Sequence, residues 1–402
     1  MPSTTASPTV ASQPDDVTVE RPDPVAGTRA LAPLLEASSA ANEAGVTLCP
    51  EVVDALHDRS LFRILVPACL GGYELGVREA YTIIEEASRA DGATGWSLMA
   101  GAIYLAVAGA FLPDEGAEAV LADPRSVAAG QVAPLGTAGP SDGGWSVEGR
   151  FGFASGGLHS TWFYGGFREQ RDGETVLLDN GLPSIVVGIL PAASVELLGN
   201  WDVVGLIGTG SVDYRVPQQF LAEAFTFPLF TAAPRRGHPR FRMGLAGLTC
   251  IGHCAFATGV ARRALDELAT LARTKRRLGR ANLIDDPLFQ ATYARAEGQL
   301  AAARAFSLAA IEALETAAIA DAVTAPVRAM ARLATTHTAE AALEVAGAAF
   351  RFAGSTGLRN GSALQRCYRD LSAGEQHVFT DFNTYRDAGR LLLGVGPDTL
   401  LT

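Results

Sequence analysis

Two short segments of this 402-residue chain combine residue types that can do chemistry on a bound ligand. Ser155 is followed by Gly156 and Gly157, so a hydroxyl and unshielded backbone amides can approach a ligand together. His377 lies near the C-terminus, and an imidazole with the ordinary pKa of about 6.5 exchanges protons near neutral pH. On residue type alone, both also fit structural roles, as a turn serine and a helix-start histidine.

The cysteines form neither a metal-binding nor a disulfide pattern. They are odd in number and lack the two-residue spacing typical of zinc ribbons. Cys250 and Cys254 flank His253, and small apolar side chains buried in a helix explain this spacing without further ligands. The sequence therefore predicts no metal site.

Hydrophobic periodicity divides the chain into units that must position these residues. Residues 25–125 show the three- and four-residue spacing of helices, and residues 231–402 return to it. Residues 126–230 change to a period of two, which predicts a central all-β domain. Residues 1–24 are rich in Ser, Thr, Pro and Asp and predict a disordered tail. A ligand site is expected where the three units meet.

Two details of this pattern can be compared directly with a structure. Val147, Phe151 and Phe153 alternate with small or polar residues and predict one strand. The segment 288–325 predicts a long helix, and Pro326 either closes it or opens the next helix at its first turn.

Composition and charge argue against several classes of function. The net charge is −11 and Lys275 is the only lysine, so the chain lacks the basic face expected of a nucleic-acid-binding protein. The uncharged segment 92–113 is long enough to span a bilayer, but its Ala and Gly content favours a helix buried in a bundle. The N-terminus lacks signal-peptide features, and we expect a cytoplasmic protein with no nucleic-acid or membrane partner.

Five motifs, in order, resemble the acyl-CoA dehydrogenase fold from about residue 25 onwards. Within that fold the chain is most similar to the oxygenase components of two-component, reduced-flavin-dependent (group D) monooxygenases. The resemblance implies a mainly α protein with a central β domain: an N-terminal helical domain, a β-barrel or sandwich domain, and a C-terminal four-helix bundle. The motifs lie at residues 71–73, 89–96, 153–156, 201–211 and 369–377.

The same resemblance implies oxygen chemistry on a flavin. In such enzymes reduced FMN or FAD arrives from a separate reductase and reacts with O2 to a C4a-(hydro)peroxyflavin, and one oxygen atom passes to the substrate. Where a dehydrogenase carries its glutamate base, this chain has Val378 after His377, which favours oxygenation. Residues 205–210 carry closely spaced glycines but lie between β segments, so no nicotinamide site is expected and the reductase is external.

Matching positions carry the family's roles over to individual residues. The resemblance makes His377 the acid or base of the reaction. Ser155 and Gly156 are expected to hydrogen-bond the N5 and O4 edge of the flavin. Trp201 matches a position beside the isoalloxazine ring, with the β-domain core as the alternative. His159 is expected to orient the serine turn.

The flavin phosphate requires cations, and the resemblance indicates three candidates. Lys275 stands where the family often has arginine, and Arg276 can substitute for it because lysine lacks the guanidinium fork. Arg359, in a glycine-rich loop, is expected to reach the flavin of a neighbouring subunit, as in the family's tetramers. A homotetramer, arranged as a dimer of dimers, is therefore expected.

Three functions remain open from the sequence. The first is hydroxylation of an aromatic or polyketide-type natural product, as in antibiotic biosynthesis, and the Ala- and Arg-rich composition suggests a GC-rich source with such pathways. The second is oxygenation of an amine or amino sugar on the same fold. The third is an acyl-CoA dehydrogenase-like reaction, for which Glu375 would have to replace the missing base at Val378.

Overall fold

The computed structural model describes residues 22–230, 233–276 and 282–395. Most of the tail predicted for residues 1–24 therefore lies outside the described residues. Within them, helices occupy both ends of the chain and a sheet lies between. This order agrees with the fold class predicted from the sequence.

The N-terminal helices begin at prolines and capping side chains. Pro24 occupies the first turn of its helix, where no N–H bond is lost, and Asp23 accepts a hydrogen bond from the Val25 N–H at 2.9 Å. Asp91 caps another helix by accepting from the Thr94 N–H at 3.0 Å. The helices before the sheet are α1 (Pro24–Gly45), α2 (Pro50–Asp58), α3 (Val77–Ala90), α4 (Gly92–Phe111) and α5 (Asp114–Leu121).

Helix α4 is the uncharged segment, and protein surrounds it. In the described part of the chain, α4 and the stretch Pro239–Thr274 are long and apolar enough to cross a membrane. Most of each is nevertheless buried inside the fold, and Leu98, Leu105 and Val107 of α4 are fully buried. The apolar character of α4 is therefore explained by burial among the other helices, as predicted.

A mixed eight-stranded sheet is formed by the described residues between 128 and 228. Its strands are β1 (Ala128–Ser141), β2 (Gly144–Ala154), β3 (Trp162–Arg171), β4 (Glu174–Thr175), β5 (Ile185–Pro191), β6 (Glu196–Leu197), β7 (Val212–Ala222) and β8 (Thr226–Pro228). The order is β6-β7-β2-β1-β3-β5-β8, and β4 pairs with β3. Strands β1 and β3 run parallel, while the other pairs are antiparallel.

A bulge near the end of β2 breaks the predicted alternation. The pairing of β2 with β7 shifts register between Phe151 and Ala154, and Phe153 adopts a φ of 60°. Phe151 is buried, but Phe153 is 64% exposed. The strand prediction holds, yet the last aromatic of the series is turned towards the surface because the bulge re-aims its side chain.

The chain returns to helix after the sheet. The helix predicted for 288–325 ends at Ile319, and Pro326 lies in the first turn of the next helix. Pro326 thus opens a helix, where its missing N–H costs nothing. The C-terminal helices are α6 (Gly244–Thr274), α7 (Pro287–Ile319), α8 (Ala325–Ala353), α9 (Ala363–Gly374) and α10 (Asn383–Leu392).

The helices share one large hydrophobic core and the sheet has a second. Inside the helical core, the Tyr81 hydroxyl of α3 lies 3.0 Å from the Thr258 hydroxyl of α6 and 3.0 Å from the Ser307 hydroxyl of α7. In the sheet core, Phe151 stacks on Tyr214 with ring centroids 5.3 Å apart. The N-terminal and C-terminal helices therefore form one packed body, which supports the sheet from one side.

Helix α9 holds the β6–β7 loop against the helical core. Arg369 donates from Nη1 to the Val204 carbonyl at 2.8 Å, and the Leu206 N–H donates to Asp370 Oδ1 at 2.6 Å. Gly205, between these two contacts, packs so closely that a Cβ would collide with the Arg369 carbonyl. The loop position thus depends on contacts that α9 supplies from more than 150 residues away along the chain.

Replacing Gly205 with alanine should destabilise the protein by about 1–3 kcal/mol, because the new methyl group meets backbone atoms that cannot rotate away. Gly139→Ala is the matched control, since nothing lies within 4 Å of a Cβ at that position. Urea denaturation measures both. Equal midpoints for the two variants would show that the loop is not fixed by α9.

Candidate active site

Ser155 lies in the turn that follows β2, and Gly156 makes this turn possible. Gly156 has a φ of +74°, which favours glycine, and its N–H donates to the Thr209 carbonyl at 2.9 Å. A Cβ on Gly156 would meet His159 Nε2 at 2.9 Å. Both ring nitrogens of His159 are buried without a hydrogen-bond partner in the described part of the chain. His159 therefore packs beneath the turn as a neutral ring, because burial lowers its pKa to about 4.

The Ser155 hydroxyl accepts two hydrogen bonds from the protein. Trp96 Nε1 of α4 donates to Ser155 Oγ at 2.9 Å, and the Ser211 hydroxyl at the end of the β6–β7 loop donates at 2.9 Å. A hydroxyl has two acceptor lone pairs and one hydrogen. Ser211 also lies 2.6 Å from the Thr209 hydroxyl, and its single hydrogen reaches Ser155 when Thr209 donates to Ser211. In this network both lone pairs of Ser155 are occupied, and its own hydrogen is left to be donated to a bound ligand.

His377 is half-buried in the segment after α9. Its Nδ1 accepts from the Phe379 N–H at 3.2 Å, so the ring hydrogen lies on Nε2. Burial, and after it the nearby Arg332 guanidinium, lowers the pKa of His377 to about 4. The expectation of an ordinary pKa near 6.5 is therefore wrong, because the ring is desolvated beside a cation. At neutral pH, His377 is a neutral imidazole, and no described residue accepts from its Nε2–H.

His253 is a candidate site residue that the sequence alone did not indicate. It lies on α6, and its ring centroid is 4.3 Å from that of His377 and 5.1 Å from that of Trp96. Burial, followed by the proximity of His377 and Arg332, lowers the pKa of His253 well below 6.5. In the sequence, His253 stands between two cysteines of an apolar helix. Only the packing of α6 against the segment after α9 brings it to the site.

Aromatic rings enclose the two histidines. Trp96 contacts Phe256 edge to face, with ring centroids 4.9 Å apart, and Phe379 stacks on His253 at 6.0 Å. Aromatic walls of this kind exclude water and favour planar, apolar ligands. The surroundings of the two histidines are therefore aromatic and apolar.

Trp201 and Phe153 form an aromatic pair at the outer side of the site. Their rings meet edge to face with centroids 6.1 Å apart, and Trp201 Nε1 donates to the Leu206 carbonyl at 3.2 Å. Trp201 is half-buried and lies outside the sheet core, so the alternative that it belongs to that core is wrong. The bulge of β2 places Phe153 near Ser155, and the β6–β7 loop places Trp201 beside it.

The three predicted phosphate cations lie elsewhere in the same chain. Lys275 follows His253 by 22 positions at the far end of α6, roughly 33 Å along the helix at 1.5 Å per residue. Its Nζ donates to the Ala353 carbonyl and to Thr356 Oγ1, so it joins the loop that carries the exposed Arg359. Arg276 is also exposed there. The structure therefore groups these cations with one another but not with Ser155.

The arrangement around Ser155 fits the edge of a flavin ring. The flavin O4 carbonyl accepts hydrogen bonds in every redox state, which matches the outward hydrogen of Ser155. Flavin N5 accepts as well whenever it carries no hydrogen. Val378, at the position of a dehydrogenase base, is 55% exposed and cannot take a proton. The Ser155 hydroxyl can thus donate to an acceptor edge, and the chain has valine instead of a carboxylate at the position where a dehydrogenase carries its base.

Comparisons with known proteins agree with this geometry. Residues 251–382 match the family model of the acyl-CoA dehydrogenase C-terminal domain. The chain is 35% identical over 352 residues to an indole-3-acetate monooxygenase of Pseudomonas putida, covering 86% of this chain and 87% of that protein. It is 27% identical to the flavin-dependent monooxygenase oxygenase subunit HsaA of Rhodococcus jostii, over 81% and 86% of the two chains.

A solved structure confirms the fold class. XiaF from a Streptomyces species, in complex with FADH2 and glycerol, superposes with a TM-score of 0.84 at 20% identity and covers 94% of this chain and 97% of its own. Together with the 35% identity over most of the length, these findings establish the family. The chain belongs to the flavin-dependent monooxygenases of the acyl-CoA dehydrogenase fold, as an oxygenase component.

Proposed function

We propose that this oxygenase takes reduced FMN or FAD from a separate reductase and uses O2 to hydroxylate an aromatic substrate through a C4a-(hydro)peroxyflavin. The observation that carries the proposal is the Ser155 hydroxyl, which accepts from Trp96 and Ser211 and must donate outward. When bound, the flavin supplies the activation of oxygen. The residues around it bind, orient and exclude water.

Ser155 is proposed to fix the flavin edge with one hydrogen bond. Among the described residues nothing accepts its hydrogen, so binding an acceptor adds a bond without breaking one. Trp201 and Phe153 are proposed to cover the ring face and keep water away. Gly156 leaves the approach free of side-chain atoms.

His377 is proposed to donate a hydrogen bond from Nε2 to the reacting oxygen or the substrate. Its neutral state and the acceptor role of Nδ1 leave that hydrogen as the only ring donor. This role replaces the acid or base of ordinary pKa expected from the sequence.

The substrate is proposed to be a planar aromatic compound, and a polyketide-type natural product is one member of that class. Trp96, Phe256 and Phe379 supply the aromatic walls that support this choice. The Pseudomonas putida relative is named for indole-3-acetate, so an indole ring is the first probe.

The distant cations support a proposed assembly. Lys275 lies roughly 33 Å along α6 from His253, with Arg276 next to it and Arg359 in the loop that Lys275 contacts, and this separation favours contact with the flavin of a neighbouring chain. We therefore propose that they hold the flavin phosphate across a subunit interface in a homotetramer. The reductase is the second proposed partner.

Turnover should require an added flavin reductase. With NADH, FMN or FAD and 18O2, the protein together with a reductase should place one labelled oxygen atom on an indole or phenol ring, detected by mass spectrometry. The protein alone should consume no NADH. NADH oxidation without a reductase would contradict the two-component proposal, and a label found only in hydrogen peroxide for every aromatic tested would contradict hydroxylation.

Replacing His377 with alanine should lower the rate of product formation by roughly a hundredfold, the scale expected for a positioned proton-transfer or hydrogen-bonding group. The exposed His337 of α8, changed to alanine, is the matched control and should keep its rate. An unchanged product rate in His377→Ala would return His377 to a purely structural role.

The pH dependence of the wild type gives a second readout for His377. Its folded pKa of about 4 lies below the unfolded value of 6.5, so the unfolded chain binds more protons between these values. Stability should therefore fall as pH drops from about 6.5 to 4, and less steeply in His377→Ala. The product rate should show no inflection near pH 6.5.

A further inference from the structure

We propose that Arg332, His253 and His377 form the inner end of the site and bind a carboxylate group of the substrate. This inference rests on the proposed function and narrows its substrate class to aromatic acids. The three side chains come from α8, α6 and the segment after α9.

Arg332 is a buried cation with neutral partners. Its side chain is buried, with the residue 5% exposed. Nη1 donates to the Phe379 carbonyl at 3.3 Å, and Nη2 donates to the Val378 carbonyl at 3.2 Å and to Thr384 Oγ1 at 3.4 Å. A guanidinium has five donor hydrogens, so these three bonds leave two for another acceptor.

No described carboxylate forms a salt bridge with Arg332. Asp381 is the carboxylate whose charge acts on it, but Asp381 is exposed and accepts hydrogen bonds from Asn383. Burial lowers the pKa of Arg332, as expected for a charge removed from water without a counter-ion. A buried charge without a counter-ion is strongly destabilising, and a bound anion would offset that cost.

The guanidinium is continuous with the aromatic interior. Its central carbon lies 4.1 Å from the centroid of the Phe379 ring, and that ring lies 6.0 Å from His253 and 5.8 Å from His377. Arg332 also lowers the pKa of both histidines. Both rings are therefore neutral at neutral pH, and the guanidinium alone makes the potential at this end positive, which a bound anion would relieve.

Thr336 supplies an independent observation. It follows Arg332 by one turn of α8 and thus lies on the same helix face. Its hydroxyl is buried and has no hydrogen-bond partner in the described part of the chain. A buried hydroxyl left unsatisfied is costly, and a carboxylate oxygen beside Arg332 would accept its hydrogen.

A carboxylate fits this set of donors better than a neutral group. Guanidinium donors bind planar carboxylates through charge-assisted bonds that are roughly twice as strong as neutral ones. The aromatic walls of Trp96, Phe256 and Phe379 would then hold the attached ring on the side of Ser155 and His377. The acid group would fix which ring position faces the reacting oxygen.

Binding of matched acid and amide pairs tests the proposal. Isothermal titration calorimetry of the purified protein with indole-3-acetate and indole-3-acetamide, and with 4-hydroxyphenylacetate and its amide, compares ligands that differ only in charge. The wild type should bind at least one acid about tenfold or more tightly than its amide, as one charge-assisted interaction provides. Arg332→Gln should abolish this preference and leave amide binding within about threefold.

Two further variants make the result specific. Arg328→Gln, exposed one turn earlier on α8, should keep the acid preference. Thr336→Val should weaken binding of the acid severalfold without affecting binding of the amide. If Arg332→Gln does not fold, this milder substitution tests the carboxylate site in its place. The proposal is overturned if no acid binds better than its amide, or if Arg332→Gln or Thr336→Val weakens acid and amide equally.

The labelled-oxygen assay separates this inference from the proposed function. If a neutral aromatic receives the 18O label while acids show no preference, hydroxylation stands and the carboxylate site fails. If no aromatic receives the label, the proposed function fails whatever the binding data show.

Discussion

The site depends on how the Ser155 hydroxyl is bonded. Trp96 from α4 and Ser211 from the β6–β7 loop both donate to it, so its hydrogen is directed away from the protein. The N-terminal helices, the sheet and the loop must therefore be in register for this one hydroxyl to become a donor. Small errors in any of the three would leave the hydroxyl bonded elsewhere.

The β6–β7 loop is in turn fixed by α9, which links the C-terminal helices to the same site. Asp370 accepts from the Leu206 N–H, and burial raises the pKa of Asp370 to about 7. Its carboxyl is thus partly protonated at neutral pH, which lowers the cost of burying it near Asp91. The segment after α9 carries His377, so one short stretch of chain positions the loop and also supplies a site residue.

Sequence motifs predicted the fold class and brought Ser155 and His377 to attention, because both belong to short patterns with strong local meaning. They did not reveal the partnership of Trp96 with Ser155, which joins residues 59 positions apart. His253 and Arg332 gave no local signal, since each is one of several polar residues on a long helix and neither belongs to a short motif. The pKa of His377 depends on burial and on Arg332, and neither can be read from the chain before packing is known.

The ratio of hydrogen peroxide to hydroxylated product in Ser155→Ala tests the central claim most directly. With a reductase, NADH and an accepted aromatic substrate, the ratio of hydrogen peroxide to hydroxylated product is measured for the wild type and the variant. Loss of the outward hydroxyl should raise the peroxide share severalfold, because one hydrogen bond to a buried group is worth about 1–3 kcal/mol. An unchanged ratio, with unchanged flavin affinity, would show that Ser155 does not donate to the flavin.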